Sequence, residues 1–105
     1  MQTNTLDKIQ VLEFLFSQGF RSDYVDQTLD KIISLERNRT RKELAELQNN
    51  LSAFEDEYQM SSDDFYGQFQ AGTLGDDADF FEWSAVYDMA QSLITRLHKL
   101  ESLGA

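Results

Sequence analysis

The sequence predicts an all-α fold: a helical hairpin or bundle of about four helices. One long central helix (residues 23–58) runs antiparallel to a C-terminal helix (residues 76–103). Three observations carry this reading. Pro is absent from all 105 residues, which removes the commonest helix breaker. Cap residues and Gly fall where helices would start and stop. Between these signals, apolar residues recur at three-four spacing.

A first helix covers residues 5–17, capped by Asn4 or Thr5. Its apolar residues Leu6, Ile9, Val11, Leu12, Phe14, Leu15 and Phe16 occupy more than one face, so burial on two sides is expected. Gly19 suits the left-handed stop position, with Phe20 folding back as the accompanying hydrophobic contact. Ser22 caps a second helix, giving a span of 22–58, with Asp23 and Asp26 near its positive end. Val25, Leu29, Ile32 and Ile33 form an early apolar patch. Leu44, Leu47, Leu51, Phe54 and Tyr58 form a later seam, suited to packing within the chain or to coiled-coil pairing in a dimer.

Ser61 caps a short third helix, 61–71, with Asp64 placed as in a capping box and Met60 and Phe65 at the staple positions. This helix presents Phe65, Tyr66 and Phe69 and stops at Gly72. Thr73-Leu74-Gly75 is a turn. Asp76 caps a fourth helix, 76–103, whose broad stripe is Trp83, Val86, Tyr87, Ala90, Leu93, Ile94, Leu97 and Leu100. A continuous helix over 23–58 would be ~54 Å long. A domain of this size is only about 33 Å across. The fourth helix, ~40 Å long, covers part of the excess. The remainder is expected to meet water, a second copy or a partner.

The length fits a single domain, 1–105, with a modest core. Its formal charge of −10 is unevenly spread. From Glu43 to Thr95 there are twelve carboxylates and no Lys, Arg or His, so the remaining residues carry a net +2. Such a chain is repelled by nucleic acids and anionic lipid, and direct nucleic-acid binding is disfavoured. There is no Cys, which excludes disulfides and thiolate chemistry and is compatible with a reducing cytosol. The run Leu12, Phe14, Leu15, Phe16 is too short for a membrane span, and the N-terminus lacks a signal-peptide pattern. A cytoplasmic location is expected.

Asp76-Asp77-Ala78-Asp79-Phe80-Phe81-Glu82-Trp83 is the densest constellation. Acids favour the first turn of a helix, and Phe80 and Trp83 can pack inward. Adjacent Phe side chains point some 100° apart, however, so a small core buries both with difficulty. The functional reading is an aromatic anchor ringed by carboxylates. Asp76, Asp77 and Asp79 do not match calcium-loop spacing, and no metal or other cofactor is expected. Arg37, Arg39, Arg41 and Lys42 are the one basic cluster. They read as a solvated segment paired with acids of another helix or chain, or as a phosphate contact. His98 sits near a helix end, where positive charge suits the dipole. No nucleophile motif, phosphate loop or sugar-sized cleft accompanies these groups, so no enzyme activity and no catalytic residues are expected.

Two resemblances follow from particular strings. Phe14-Leu15-Phe16-Ser17-Gln18-Gly19-Phe20, with Val25 and Leu29, is similar to the opening of a ubiquitin-associated domain. The second helix here is far longer than in that family, and its third helix is missing. Ser22-Asp23-Tyr24-Val25-Asp26-Gln27, Tyr58-Gln59-Met60-Ser61-Ser62, Asp64-Phe65-Tyr66, Leu74-Gly75-Asp76-Asp77 and Asp79-Phe80-Phe81-Glu82-Trp83 together resemble small acidic helical antitoxins of bacterial and archaeal toxin–antitoxin modules. That resemblance implies an intracellular helical protein that pairs with the product of a neighbouring gene. It implies no catalytic residues, and the chain lacks an evident DNA-binding domain.

The function expected from these features is a non-enzymatic, antitoxin-like binder that neutralises a basic partner, with a nuclease toxin the leading class. Asp76, Asp77, Asp79 and Glu82 would supply charge. Phe65, Tyr66 and Phe81 would supply anchors, and Trp83 belongs to the core. The alternative is a homodimeric structural or adaptor protein joined through the Leu44, Leu47, Leu51, Phe54 seam.

Overall fold

A computed structural model describes residues 4–103. The outermost residues of the expected 1–105 span lie outside them. Four helices follow in order: α1 (Thr5–Ser17), α2 (Asp23–Tyr58), α3 (Ser62–Gln70) and α4 (Ala78–Glu101). No strand occurs among the described residues. The chain divides into two compact units, Met1–Ile32 and Ile33–Ala105, and the division falls inside α2.

Local chemistry sets each helix end. Asn4 and Asp7 form a full capping box at α1, with the Asp7 N–H donating to Asn4 Oδ1 at 2.8 Å. Gly19 takes φ +96° at the other end. The Phe20 N–H reaches back to the Leu15 carbonyl at 3.0 Å, and the Phe16 and Phe20 rings meet edge to face at 5.2 Å. This is the expected left-handed stop with its hydrophobic contact. Arg21 adds a cation there, its guanidinium donating to the carbonyls of Phe16 and Phe20.

Ser22 caps α2 by accepting from the Val25 N–H at 3.2 Å. Its 36 residues contain neither Gly nor Pro, so nothing interrupts the backbone ladder. The same left-handed ending closes α2 at Gln59 (φ +51°), with Met60 N–H donating to Glu55, and closes α3 at Gly72.

Two helices are shorter than expected. α3 is Ser62–Gln70 rather than 61–71, because Ser61 is its cap and accepts from the Asp64 N–H at 3.1 Å. α4 is Ala78–Glu101 rather than 76–103. Asp77, not Asp76, caps it by accepting from the Asp79 N–H at 2.9 Å, and Ser102 closes it.

Within the second unit, α2 and α4 form an antiparallel hairpin with α3 at its corner. Leu44, Ala90 and Leu93 make the buried centre, and Leu47, Leu51 and Leu97 pack against it. The seam expected from sequence is therefore filled by the chain's own α4. At the open end, Arg37 donates to the Leu100 carbonyl at 3.3 Å and Arg41 pairs with Glu101. Two of the four basic residues thus clasp the negative end of α4. Arg39 pairs with Glu36 on the exposed surface at 3.5 Å.

Two buried polar atoms lack a hydrogen-bond partner among the described residues: Arg37 Nε and the Thr40 hydroxyl, both in α2. An unpaired buried hydroxyl costs about 1–3 kcal/mol. Thr40→Val keeps the shape and removes that cost. Urea unfolding should show a gain of about 1 kcal/mol, and a loss would mean that the hydroxyl is satisfied in solution.

The first unit is built differently. α1 lies along the start of α2, and Ile9, Leu12, Phe16 and Leu29 line a groove. No described residue between Asn4 and Ile32 is buried. The expected burial of α1 on two sides does not occur. Ridge-in-groove packing against one helix covers one stripe, and the opposite stripe of α1 faces outward.

Candidate protein-binding surface

The hairpin corner is an aromatic cluster drawn from three helices. Trp83 is fully buried, its ring parallel to that of Phe65 with centroids 3.8 Å apart. Phe54 and Tyr58 of α2 stack on the same indole at 5.4 and 5.7 Å. The indole N–H donates to Ser62 Oγ at 2.9 Å, and the Ser62 N–H donates to the Glu55 carboxylate at 2.8 Å. A polar chain thus satisfies the one polar atom that the tryptophan takes into the core.

Three tyrosine–aspartate bonds tie the helices together around this cluster. Tyr58 of α2 donates to Asp79 of α4 at 2.6 Å. Tyr66 of α3 donates to Asp88 of α4 at 2.7 Å, and Tyr87 of α4 donates back to Asp63 of α3 at 2.8 Å. The Tyr66 and Tyr87 rings stack at 4.4 Å between these reciprocal bonds. Hydrogen bonding to the carboxylate is the largest cause holding all three phenols above their ordinary value of 10.0, with desolvation next.

A phenol whose pKa is higher in the folded chain than in the unfolded one stabilises the fold below the unfolded value. That contribution is lost as pH rises through the folded value. Stability should therefore fall steadily as pH climbs above about 10. Absorbance titration at 295 nm should show three tyrosines ionising late and together with loss of helicity. Early ionisation of all of them in a still-helical chain would contradict the bonds.

The residues expected to meet a partner separate into two groups. Phe65 is 0 % exposed beneath Trp83 and cannot anchor anything outside the chain. It was expected outside because an amphipathic nine-residue helix does not reveal which aromatic faces inward. Tyr66 and Asp79 are half-buried and committed to Asp88 and Tyr58. Asp76, Asp77 and Glu82 are exposed, and Asp77 also caps α4. Phe81 is 59 % exposed, standing edge-on to Phe69 at 5.4 Å. Leu44, Leu47, Leu51 and Phe54 lie in or against the core.

A groove between α2 and α4 was not evident from sequence. Its larger part, about 470 Å³, has Leu47, Met89 and Leu93 among its lining, together with Glu43, Glu46 and Asp88. A smaller part, about 220 Å³, shares Asn50 and adds Phe54, Glu57 and Glu82. Glu43, Glu46 or Leu47, Asn50, Phe54 and Glu57 follow one face of α2 at three-four spacing. The groove therefore spans ~21 Å of that helix. The signal was present in that spacing, but it needed the position of α4 to become a groove. Apolar lining with acids along it is the chemistry that receives a basic amphipathic segment.

No group of three or more metal-ligating side chains is assembled among the described residues. No described helix is long and apolar enough to cross a membrane. Comparison with protein-family models, with curated proteins and with solved structures finds no match to this chain.

Proposed function

We propose that the chain is a non-enzymatic, antitoxin-like binding module that neutralises a basic protein encoded nearby, with a nuclease toxin the leading class. The observation that supports this best is electrostatic. The ion pairs among the described residues are Glu36–Arg39 and Arg41–Glu101, and neither involves a carboxylate between Glu43 and Asp88. That acidic stretch has no basic residue of its own to pair with. Its internal bonds come from neutral donors: three tyrosines and backbone N–H groups. Glu43, Glu46, Glu57, Asp76 and Glu82 are exposed, and an incoming cation is the counterpart that lowers their mutual repulsion.

In this reading the carboxylates take the place of phosphates in the partner's nucleic-acid groove, and Phe81 with the apolar groove lining supplies contact area. A cytoplasmic location goes with such a role. The alternative, a homodimeric structural or adaptor protein joined through Leu44, Leu47, Leu51 and Phe54, would have to use a seam that already packs in or against the hairpin core. Co-expression of the untagged chain with the tagged product of the adjacent gene tests the proposal. Co-purification with a basic product is expected. Failure to co-purify, or an acidic product, would remove it.

A further inference from the structure

We infer that α1 is a self-association surface, on which a second copy of this chain packs through Val11, Phe14 and Leu15. These three residues occupy the half of α1 turned away from the groove lined by Ile9, Leu12, Phe16 and Leu29. Val11, Phe14 and Leu15 are 59, 61 and 38 % exposed. Their spacing, i, i+3 and i+4, is that of a packing stripe. The helix is thus apolar on two sides and has its own chain on one.

Energetics makes the second side informative. The first unit has no buried side chain among its described residues. Units below ~40 residues without a core need disulfides, metals or association. The chain has no Cys, and no metal-ligand group is assembled among the described residues. Beyond its continuity with the second unit through α2, association is the stabilising means open to this unit.

Charge and area select a second copy as the occupant. α1 carries only Asp7, Lys8 and Glu13, whereas a basic partner would be drawn to the acidic stretch of residues 43–95. Two copies of net charge −10 can approach only where charge is sparse, and α1 is such a place. The three side chains expose on the order of 300 Å² of apolar surface, within the size range of patches that are often functional. With flanking Asn4, Asp7, Gln10 and Gln18 the face reaches roughly the 600 Å² per partner of the smaller stable interfaces. A two-fold axis near Val11 would set the helices antiparallel, with Lys8 of one copy against Phe14 of the other, a favourable cation–aromatic pair.

The Cys-free chain permits a direct test. Sedimentation equilibrium of the full chain should show a dimer, and Val11→Glu with Phe14→Glu should weaken it at least ~30-fold. Far-UV circular dichroism should leave the helix content of that variant unchanged. Should the double variant fail to fold, Val11→Cys keeps the question open to measurement. Mild oxidation of Val11→Cys should give a covalent dimer quickly, and the control Glu57→Cys should not. A monomeric wild-type chain would overturn the inference. So would a dimer in which Val11→Cys cross-links no faster than Glu57→Cys. Neither readout involves the basic partner, so this inference and the proposed function stand or fall separately.

Discussion

Phe65→Ala is expected to leave the hairpin barely folded. The side chain is fully buried and stacked on Trp83 at 3.8 Å, with Phe69 and Phe80 at 5.4 and 5.7 Å. Truncating a buried Phe costs about 3–5 kcal/mol through lost transfer energy and the cavity left behind. Small domains have only about 5–15 kcal/mol in total. The effect should be larger than usual in kind as well, because Phe65 joins α3 to α4 while Phe54 and Tyr58 join α2 to the same indole. Urea unfolding followed by circular dichroism and by Trp83 emission should show both the loss and a red-shifted tryptophan. Phe81→Ala, whose ring is exposed against Phe69, should cost no more than about 1.5 kcal/mol. Equal costs at the two positions would mean that the stack does not organise the corner.

Charge reversal on the acidic face is expected to abolish partner binding while leaving the fold intact. Glu43→Lys with Glu46→Lys alters the groove, and Asp76→Lys with Glu82→Lys alters the start of α4. None of these four carboxylates accepts a hydrogen bond within the described chain, so none is needed to close a helix or hold the corner. Asp79 is unsuitable, because reversing it would leave the Tyr58 hydroxyl without its acceptor. Each double reversal turns two attractions into two repulsions and should lower affinity at least ~100-fold, mainly through slower association at low salt. Affinity within threefold of wild type for both variants would show that the partner is held elsewhere.

The helices were legible in the sequence because their ends are chemically marked. Asn4, Ser22 and Ser61 cap, and Gly19 and Gly72 take positive φ. α1 and α2 therefore begin and end where expected. Asp76 and Asp77 are equally good caps by composition, and only backbone geometry selects Asp77. The site was legible in its charge and only partly in its contacts. Phe65 and Phe81 lie in similar strings of acids and aromatics, yet one is sealed under Trp83 and the other faces outward. Which ring turns inward depends on how α3 meets α4, and no local pattern encodes that. The groove along Glu43 to Glu57 depends in the same way on two segments distant in sequence meeting side by side. The apolar surplus of α1 was readable, and its expected burial was wrong for one chain because a single neighbouring helix covers a single stripe.

Carboxylate footprinting of the complex with the adjacent gene's product tests the central claim most directly. Carbodiimide labelling read by mass spectrometry reports each Asp and Glu separately, with the free chain as reference. Glu43, Glu46, Glu57, Asp76 and Glu82 should be protected in the complex, while Asp7, Glu13 and Asp23 should label as before. Protection confined to residues outside 43–95, or no change at any carboxylate, would contradict the account.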